Sequence, residues 1–319
     1  MSEKMNYQIE IIPSLVGLET NVKSIPHFPL MTNFPDIKSN NLRNLRSKVK
    51  VYCKYLVNNT RFQKNESKSK LYRKLKDNSI YFEYHIGIKL TPKLIVEFDK
   101  NSFQMFVNST YHRIGKVTID KLYSPGWHLT DLIQYTLLTN GYSLLHSAAF
   151  RYNDVGVLLI GLSNTGKTST TMTFVEKGGQ YLAEDISATD GKKIISCPYT
   201  LTYIRLKNMK NVSKPKAISN FIYQKLSSSL PLFDHFVKGP LKSVKDLIGE
   251  EKMLSEGRID YIFILSKGEK CVKPLRTEDA TQMILASNRS EFSYHNNSLL
   301  LASQFLGVNI DVFGAMKKE

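Results

Sequence analysis

The sequence predicts an α/β fold in which a mostly β N-terminal region precedes a core of alternating strands and helices. Segments rich in β-branched and aromatic residues follow one another between Val49 and Ile119, and the apolar spacing becomes helical after Pro125. Strands and helices then alternate toward the end of the 319 residues, which are enough for one large domain or two ordinary ones. We assign residues 1–125 to a mostly antiparallel β accessory region and residues 126–319 to the core domain.

The individual strands of the N-terminal region are predicted from their composition. They are the segments VKVYCKYLV, IYFEYHIGIKL, KLIVEFD, SFQMFVN and KVTID. Pro26, Pro29 and Pro35 interrupt the first forty residues, to which we assign no regular element.

The core begins with a helix, because Leu129, Leu132, Ile133 and Leu137 recur at helical spacing until Gly141. Strands are then predicted in LLHSAAF and VGVLLI, followed by a helix from about Lys167 to Lys177. The next strand ends at YLAED, and another follows the turn at Asp190 and Gly191. After a helical insertion near 211–256, we predict a hairpin of IDYIFIL with CVKPL, a helix from near Thr277, and a last helix followed by a short strand.

Composition limits the compartment and the partners. The first residues, MSEKMNYQIEIIPSLVGL, lack the basic region and apolar core of a secretory signal, and no stretch approaches the roughly 20 apolar residues of a membrane span. Cys53, Cys197 and Cys271 have neither disulfide-framework nor zinc spacing, so we expect a cytoplasmic protein. The net charge of +16 favours an anionic partner, and a homo-oligomer is left open.

Much of the positive charge lies in one run from Arg43 to Lys76, in which Glu66 is the single acid. Its basic residues are Arg43, Arg46, Lys48, Lys50, Lys54, Arg61, Lys64, Lys68, Lys70, Arg73, Lys74 and Lys76. Such a run could bind nucleic acid or an acidic peptide, or form a solvated surface. We favour the solvated surface, and no base-reading motif supports nucleic acid.

A phosphate-binding loop is predicted at GLSNTGKT, residues 161–168, which matches G-x-x-x-x-G-K-[ST] between a strand and a helix. Its glycines let backbone N–H groups converge on phosphate oxygens at the start of the helix. Lys167 would reach the outer phosphates of ATP and the Thr168 hydroxyl would bind Mg²⁺. The predicted nucleotide-binding residues are Gly161, Ser163, Asn164, Thr165, Gly166, Lys167, Thr168 and Ser169.

Two acids and one histidine complete the predicted site. Glu184 and Asp185 lie at the predicted end of a strand, where α/β sheets face their ligands. One carboxylate can hold Mg²⁺ while the other accepts a proton from an attacking hydroxyl. His146 lies fifteen residues before Gly161 and is either a hydrogen-bonded core residue or part of the site.

The segments LLHSAAF, GVLLIGLSNTGKTS and EKGGQYLAED, in this order, resemble the HPr serine kinase/phosphorylase family. In that family a histidine precedes the phosphate loop and a pair of acids follows it. The resemblance covers about residues 141–207, and the chain order on both sides is similar to HPr-kinase-like proteins, including those of lasso-peptide biosynthesis. It implies a core with the fold shared with phosphoenolpyruvate carboxykinase and transfer of the ATP γ-phosphate to a serine hydroxyl.

The resemblance also implies roles for single residues. His146 matches the active-site histidine, and Lys167 belongs to the matching loop. Family order makes Glu184 the base and Asp185 the metal partner beside Thr168, although this chain has Glu184 where the family usually has Asp. The division of roles between the two acids therefore stays open.

We expect an ATP- and Mg²⁺-dependent kinase that phosphorylates a serine-type hydroxyl of a peptide or protein, such as a modified-peptide precursor. The alternative is a nucleotide-binding regulatory protein that keeps the loop and transfers nothing.

Overall fold

The protein has a mixed α/β fold with two mixed sheets and helices packed against them. The structure, a computed structural model, describes residues 7–31, 45–62, 71–86, 90–116, 123–199, 248–268 and 271–319. Residues up to 201 and from 254 onward belong to one compact unit, and residues 202–253 form another, of which 248–253 are described. The helical insertion predicted near 211–256 therefore lies largely outside the described residues. The division of the chain at residues 125 and 126 stays a prediction.

The first sheet contains the strands of the N-terminal region in the order β1-β2-β3-β7-β6-β5-β4. These strands are β1 (Tyr7–Ile12), β2 (Val16–Thr20), β3 (Val51–Val57), β4 (Leu71–Lys76), β5 (Ser79–Glu83), β6 (Lys93–Asp99) and β7 (Ser102–Val107). Strand β3 is parallel to both β2 and β7, and the other neighbouring strands are antiparallel.

Several strands of this sheet agree with the sequence prediction, and others were not predicted. Four predicted segments form β3, β5, β6 and β7, whereas residues 117–120 of the fifth, KVTID, lie outside the described residues. Strands β1 and β2 were not predicted, because the prolines indicated an interruption of the whole of the first forty residues. Pro26 and Pro29 lie after β2 and therefore interrupt neither strand. Strand β4 lies inside the basic run, where its charged residues obscured the pattern.

The second sheet has the order β13-β12-β11-β8-β9-β14, with β10 also paired to β8. Its strands are β8 (Ser143–Tyr152), β9 (Val155–Ile160), β10 (Gln180–Ala183), β11 (Ile186–Thr189), β12 (Lys193–Ser196), β13 (Glu256–Arg258) and β14 (Tyr261–Ile264). Strand β9 is antiparallel to β8 and parallel to β14.

The predicted hairpin of IDYIFIL with CVKPL is wrong. Residues 271–275 form no strand, and β14 pairs in parallel with β9 instead. Gly156 of β9 lets the chain just before β14 come close, because a Cβ at Gly156 would lie 1.8 Å from the carbonyl oxygen of Arg258. Pro274 also removes a backbone donor that a second hairpin strand would need.

The described helices are α1 (Leu45–Lys48), α2 (Ser109–Ile114), α3 (Pro125–Thr139), α4 (Lys167–Glu176), α5 (Thr277–Glu291), α6 (Ser298–Phe305) and α7 (Val312–Lys318). The predicted short strand after the last helix is therefore wrong, since α7 occupies that place. The Asp311 side chain caps α7 by accepting a hydrogen bond of 2.8 Å from the backbone N–H of Gly314. None of the helices in the described ranges is long and apolar enough to cross a bilayer.

Helix α3 joins the two sheets through one apolar core. It packs against β3 and β7 of the first sheet and against β8 of the second, and nearly all of its side chains are buried. Leu132 and Ile133 belong to the same cluster as Val96 of the first sheet and Leu144 of the second. The position of β8, and of everything attached to it, therefore depends on this packing.

Replacing Leu132 tests this central role of α3. Leu132→Ala should lower the free energy of unfolding by about 2–5 kcal/mol, because it leaves a cavity in a core that both sheets share. Leu75→Ala is the matched control, since 41% of Leu75 is exposed and its loss should change stability by less than about 0.5 kcal/mol. Urea unfolding measures both variants, and equal midpoints would contradict the assignment.

Candidate functional site

The predicted phosphate-binding loop lies between β9 and α4, as its sequence requires. Gly161, Asn164 and Gly166 have φ angles of +154°, +64° and +102°, in the region that favours glycine and tolerates asparagine. A Cβ on Gly161 would lie 2.5 Å from the carbonyl oxygen of Leu265, so only glycine fits there. Ser163 and Asn164 are exposed at the tip of the loop, and Gly166 is the N-cap of α4.

Other hydroxyl side chains of the loop bind its own backbone. Thr165 Oγ1 donates to the carbonyl of Leu162 at 2.8 Å, and Ser169 Oγ donates to the carbonyl of Gly166 at 3.1 Å. These bonds fix the turn that precedes α4.

Lys167 is the buried cation of the site, with 7% of the residue exposed. Its Nζ lies 2.5 Å from the carbonyl oxygen of Gly161, 3.2 Å from that of Leu162 and 2.8 Å from His146 Nε2. Burial lowers the pKa of this ammonium group. An ammonium has three hydrogens to donate, and these three contacts match them.

Strand β8 places the two predicted acids beside the loop. It pairs with β11 through His146 and then with β10 through Ala149, so that Glu184 and Asp185 occupy the junction between these two partners. Asp185 adopts a φ of +67°, and its carbonyl accepts a hydrogen bond of 3.1 Å from the N–H of Ser147. This turn separates the directions of the two carboxylates.

Glu184 lies toward α4 and Asp185 toward β8. The Thr168 hydroxyl donates a hydrogen bond to Glu184 Oε1, and Glu184 is 6% exposed. Asp185 Oδ1 lies 3.6 Å from His146 Nδ1, and its side chain is half-exposed. Burial raises the pKa of the Asp185 carboxyl, an effect that the Lys167 charge partly opposes.

His146 connects the loop lysine to the acids. Because Lys167 can only donate, His146 Nε2 accepts, and the ring is neutral with its proton on Nδ1. Burial, followed by the Lys167 charge, lowers the pKa of His146 to about 4. Neutrality of the ring is therefore maintained well below pH 6.

Helix α5 adds an acid that sequence reasoning missed. Glu291 Oε1 lies 3.9 Å from His146 Nδ1, and Asn288, one turn earlier, accepts a hydrogen bond of 3.1 Å from the backbone N–H of His146. The spacing of three residues puts Asn288 and Glu291 on one helix face. Nothing in the sequence around them marks this face as part of a site.

An apolar cavity of 460 Å³ lies beside α4. Thr170 and Phe174 of α4 line it together with Phe150, Phe263 and Leu265. Phe150 and Phe174 stack with their ring centroids 4.4 Å apart. This surface next to the loop is suited to an apolar group and not to an ion.

The structure brings together five predicted site residues, namely His146, Lys167, Thr168, Glu184 and Asp185, whereas the described part of the basic run lies in and beside the first sheet. In its described part, Arg46, Lys54, Arg61 and Lys74 form ion pairs with Asp99, Glu19, Glu97 and Asp77 at 3.2, 3.1, 2.6 and 2.9 Å. Except for the buried Glu19, these side chains are at least partly exposed, and exposed ion pairs add little stability. These contacts favour the solvated surface over a nucleic-acid groove.

Comparison with known proteins adds little to this geometry. No protein-family model and no curated protein matches the chain. Among solved structures, the chain is similar to the Hpr(Ser) kinase/phosphatase from Coxiella burnetii, with a TM-score of 0.26 and 17% identity over 42% of this chain. The match spans 65% of that chain, just under two thirds of its length. A likeness of this size carries no functional argument.

The depressed pKa of His146 predicts a pH effect on stability. Between pH 6.5 and about pH 4 the unfolded histidine binds a proton that the folded one excludes, so this group makes the protein less stable as the pH falls through that window. His146→Gln removes the effect. Relative to the wild type, the variant should gain at most about 1.4 kcal/mol of unfolding free energy per pH unit of acidification. Urea unfolding measures the unfolding free energy of both proteins from pH 7 to pH 4. A difference between wild type and His146→Gln that does not change with pH would contradict the lowered pKa of His146.

Proposed function

We propose that this protein is an ATP- and Mg²⁺-dependent kinase that transfers the γ-phosphate to a serine-type hydroxyl of a peptide or protein. One observation carries the proposal: a buried loop lysine, a hydroxyl joined to a carboxylate and a histidine facing a second carboxylate converge at the start of α4. The core type that we propose with it is that of HPr kinase and phosphoenolpyruvate carboxykinase.

Nucleotide binding would use the loop backbone and Lys167. The N–H groups at the start of α4 and in the loop offer donors to phosphate oxygens, and the helix adds its positive end. Lys167 is now held by two loop carbonyls and His146, which carry no formal charge. A phosphate anion is a stronger partner for a desolvated ammonium, so Lys167 would turn toward it.

Magnesium would be held by Thr168 and Glu184. A hydroxyl and a carboxylate oxygen are hard ligands of the kind Mg²⁺ prefers, and these two groups already contact each other. The family order suggested Asp185 as the metal partner and Glu184 as the base. The contacts favour the reverse roles, because Asp185 turns away from Thr168 toward His146. The bound ion would supply charge stabilisation for the phosphates.

Asp185 would then receive the proton of the acceptor. As the hydroxyl oxygen forms its bond to the γ-phosphorus, the bond to the leaving ADP oxygen breaks and the hydroxyl proton passes to the Asp185 carboxylate. The raised pKa of Asp185 makes it a better base than an ordinary carboxylate. His146 Nδ1 faces this carboxylate from 3.6 Å.

Lys167→Ala tests the loop. The variant should remain folded, because Lys167 contacts carbonyls and a histidine and not the apolar core, but it should lose phosphate charge compensation. We expect transfer from labelled ATP to the acceptor fraction of a source-cell extract to fall by at least about 100-fold. Lys177→Ala, at the exposed end of α4, is the matched control and should behave as wild type.

Either of two results would change the proposal. Turnover by folded Lys167→Ala at the wild-type rate would remove the loop from the mechanism. If the wild type bound Mg-ATP and labelled no component of the extract, the regulatory nucleotide-binding protein would replace the kinase.

The two acids should differ in their roles. Asp185→Asn, which the left-handed backbone at this position tolerates, should bind Mg-ATP normally and transfer about 100-fold to 10,000-fold more slowly. Glu184→Gln should weaken the Mg²⁺ dependence of nucleotide binding, because an amide is a poorer ligand than a carboxylate. Nucleotide affinity with and without Mg²⁺, together with single-turnover transfer, separates these effects. Exchanged phenotypes would restore Glu184 as the base.

A further inference from the structure

Three ligating side chains meet behind the loop lysine. His146 comes from β8, Asp185 from the junction of β10 and β11, and Glu291 from the last residue of α5. Their potential ligand atoms all lie within 4.8 Å of one another. The hydrogen bond from the His146 N–H to Asn288 fixes α5 against β8 and so holds Glu291 in place.

The histidine nitrogen in this cluster is buried without a hydrogen-bond partner among the described residues. His146 is 5% exposed, and its Nδ1 faces Asp185 Oδ1 at 3.6 Å and Glu291 Oε1 at 3.9 Å. Both distances exceed those of a hydrogen bond. A buried polar atom in this position requires an explanation, such as an ion.

The separations have the size that a bound ion would produce. In a tetrahedral shell with bonds of about 2.1 Å, neighbouring ligand atoms lie about 3.4 Å apart. The two distances from His146 Nδ1 are only slightly longer than this. Asp185 and Glu291 also place two like charges close together, and burial followed by the Asp185 charge raises the pKa of Glu291. A divalent cation would compensate both carboxylates.

We propose that His146 Nδ1, Asp185 and Glu291 form a binding site for a divalent transition-metal ion such as Mn²⁺ or Zn²⁺, separate from the magnesium held by Thr168 and Glu184. One imidazole nitrogen and two carboxylate oxygens are a ligand set for such ions. Asp185 would ligate through Oδ1, and its second oxygen would remain for the acceptor proton. The ion site requires no nucleotide and goes beyond the proposed kinase activity.

Occupation of this site would release the loop lysine. A metal ion at Nδ1 requires a lone pair there, so the ring proton must move to Nε2. Nε2 then donates and can no longer accept from the Lys167 ammonium. Lys167 would leave His146 and become available to a phosphate. The metal would therefore prepare the loop for the nucleotide.

The test is a titration of the nucleotide-free full chain with Mn²⁺, in which the electron paramagnetic resonance signal reports the free ion. We expect one Mn²⁺ per wild-type chain. Glu291→Gln and His146→Gln should each weaken binding at least tenfold. Glu278→Gln, an exposed glutamate of the same helix, and Thr168→Ala, at the other proposed metal position, should bind as wild type does.

A second measurement uses the wild-type protein. Nitrogen-15 spectra of the histidine rings should show His146 with its proton on Nδ1 in the metal-free protein and on Nε2 after one equivalent of Zn²⁺. The His146→Gln spectrum assigns the signal. Unchanged Mn²⁺ affinity in folded Glu291→Gln, absence of both Mn²⁺ and Zn²⁺ binding in the wild type, or loss of binding only in Thr168→Ala would each overturn the site. None of these results depends on phosphoryl transfer, so the kinase proposal is judged separately.

Discussion

The candidate site depends on the way strand β8 shares one edge between two partners. Residues near its start pair with β11 and residues near its end pair with β10, and the chain must turn where one partner gives way to the other. That turn contains Glu184 and Asp185, with Asp185 in a left-handed conformation. The same strand contributes His146 and is fixed from behind by α3, so core packing determines the separation of the acids from the loop.

The parts of the site that are local in sequence could be predicted, and those that depend on distant contacts could not. The loop is set by Gly161 and Gly166, whose backbone angles only a glycine adopts easily, and the structure has the expected strand and helix around it. Asn288 meets His146 across 142 residues, and no periodicity or spacing reports such a contact. The directions of Glu184 and Asp185 were also hidden, because simple strand alternation does not include a left-handed turn. The hairpin near Pro274 was wrongly predicted for the same reason, because the true partner of β14 is β9, which is distant in sequence.

Charge compensation explains why so many titratable groups are buried together. The ammonium of Lys167 attracts the carboxylates of Glu184, Asp185 and Glu291, while burial opposes ionisation of Lys167, Asp185 and Glu291. Neutral His146 stands between the cation and two of the acids, and separates them without adding charge. Such an arrangement can bind an anion on the Lys167 side of the histidine and a cation on the side of the two acids.

The parallel pairing of β9 with β14 has a consequence for the synthesis of this protein. The N–H of Gly156 bonds to Asp260, which follows 104 residues later, and Leu265 closes the contact against Gly161. The ribosome must therefore synthesise about a third of the chain after the loop before β9 can pair with β14. Long-range pairing of this kind folds slowly, because the entropy of closing the intervening chain is lost first. During that interval the edge of β9 that later pairs with β14 lacks this strand partner.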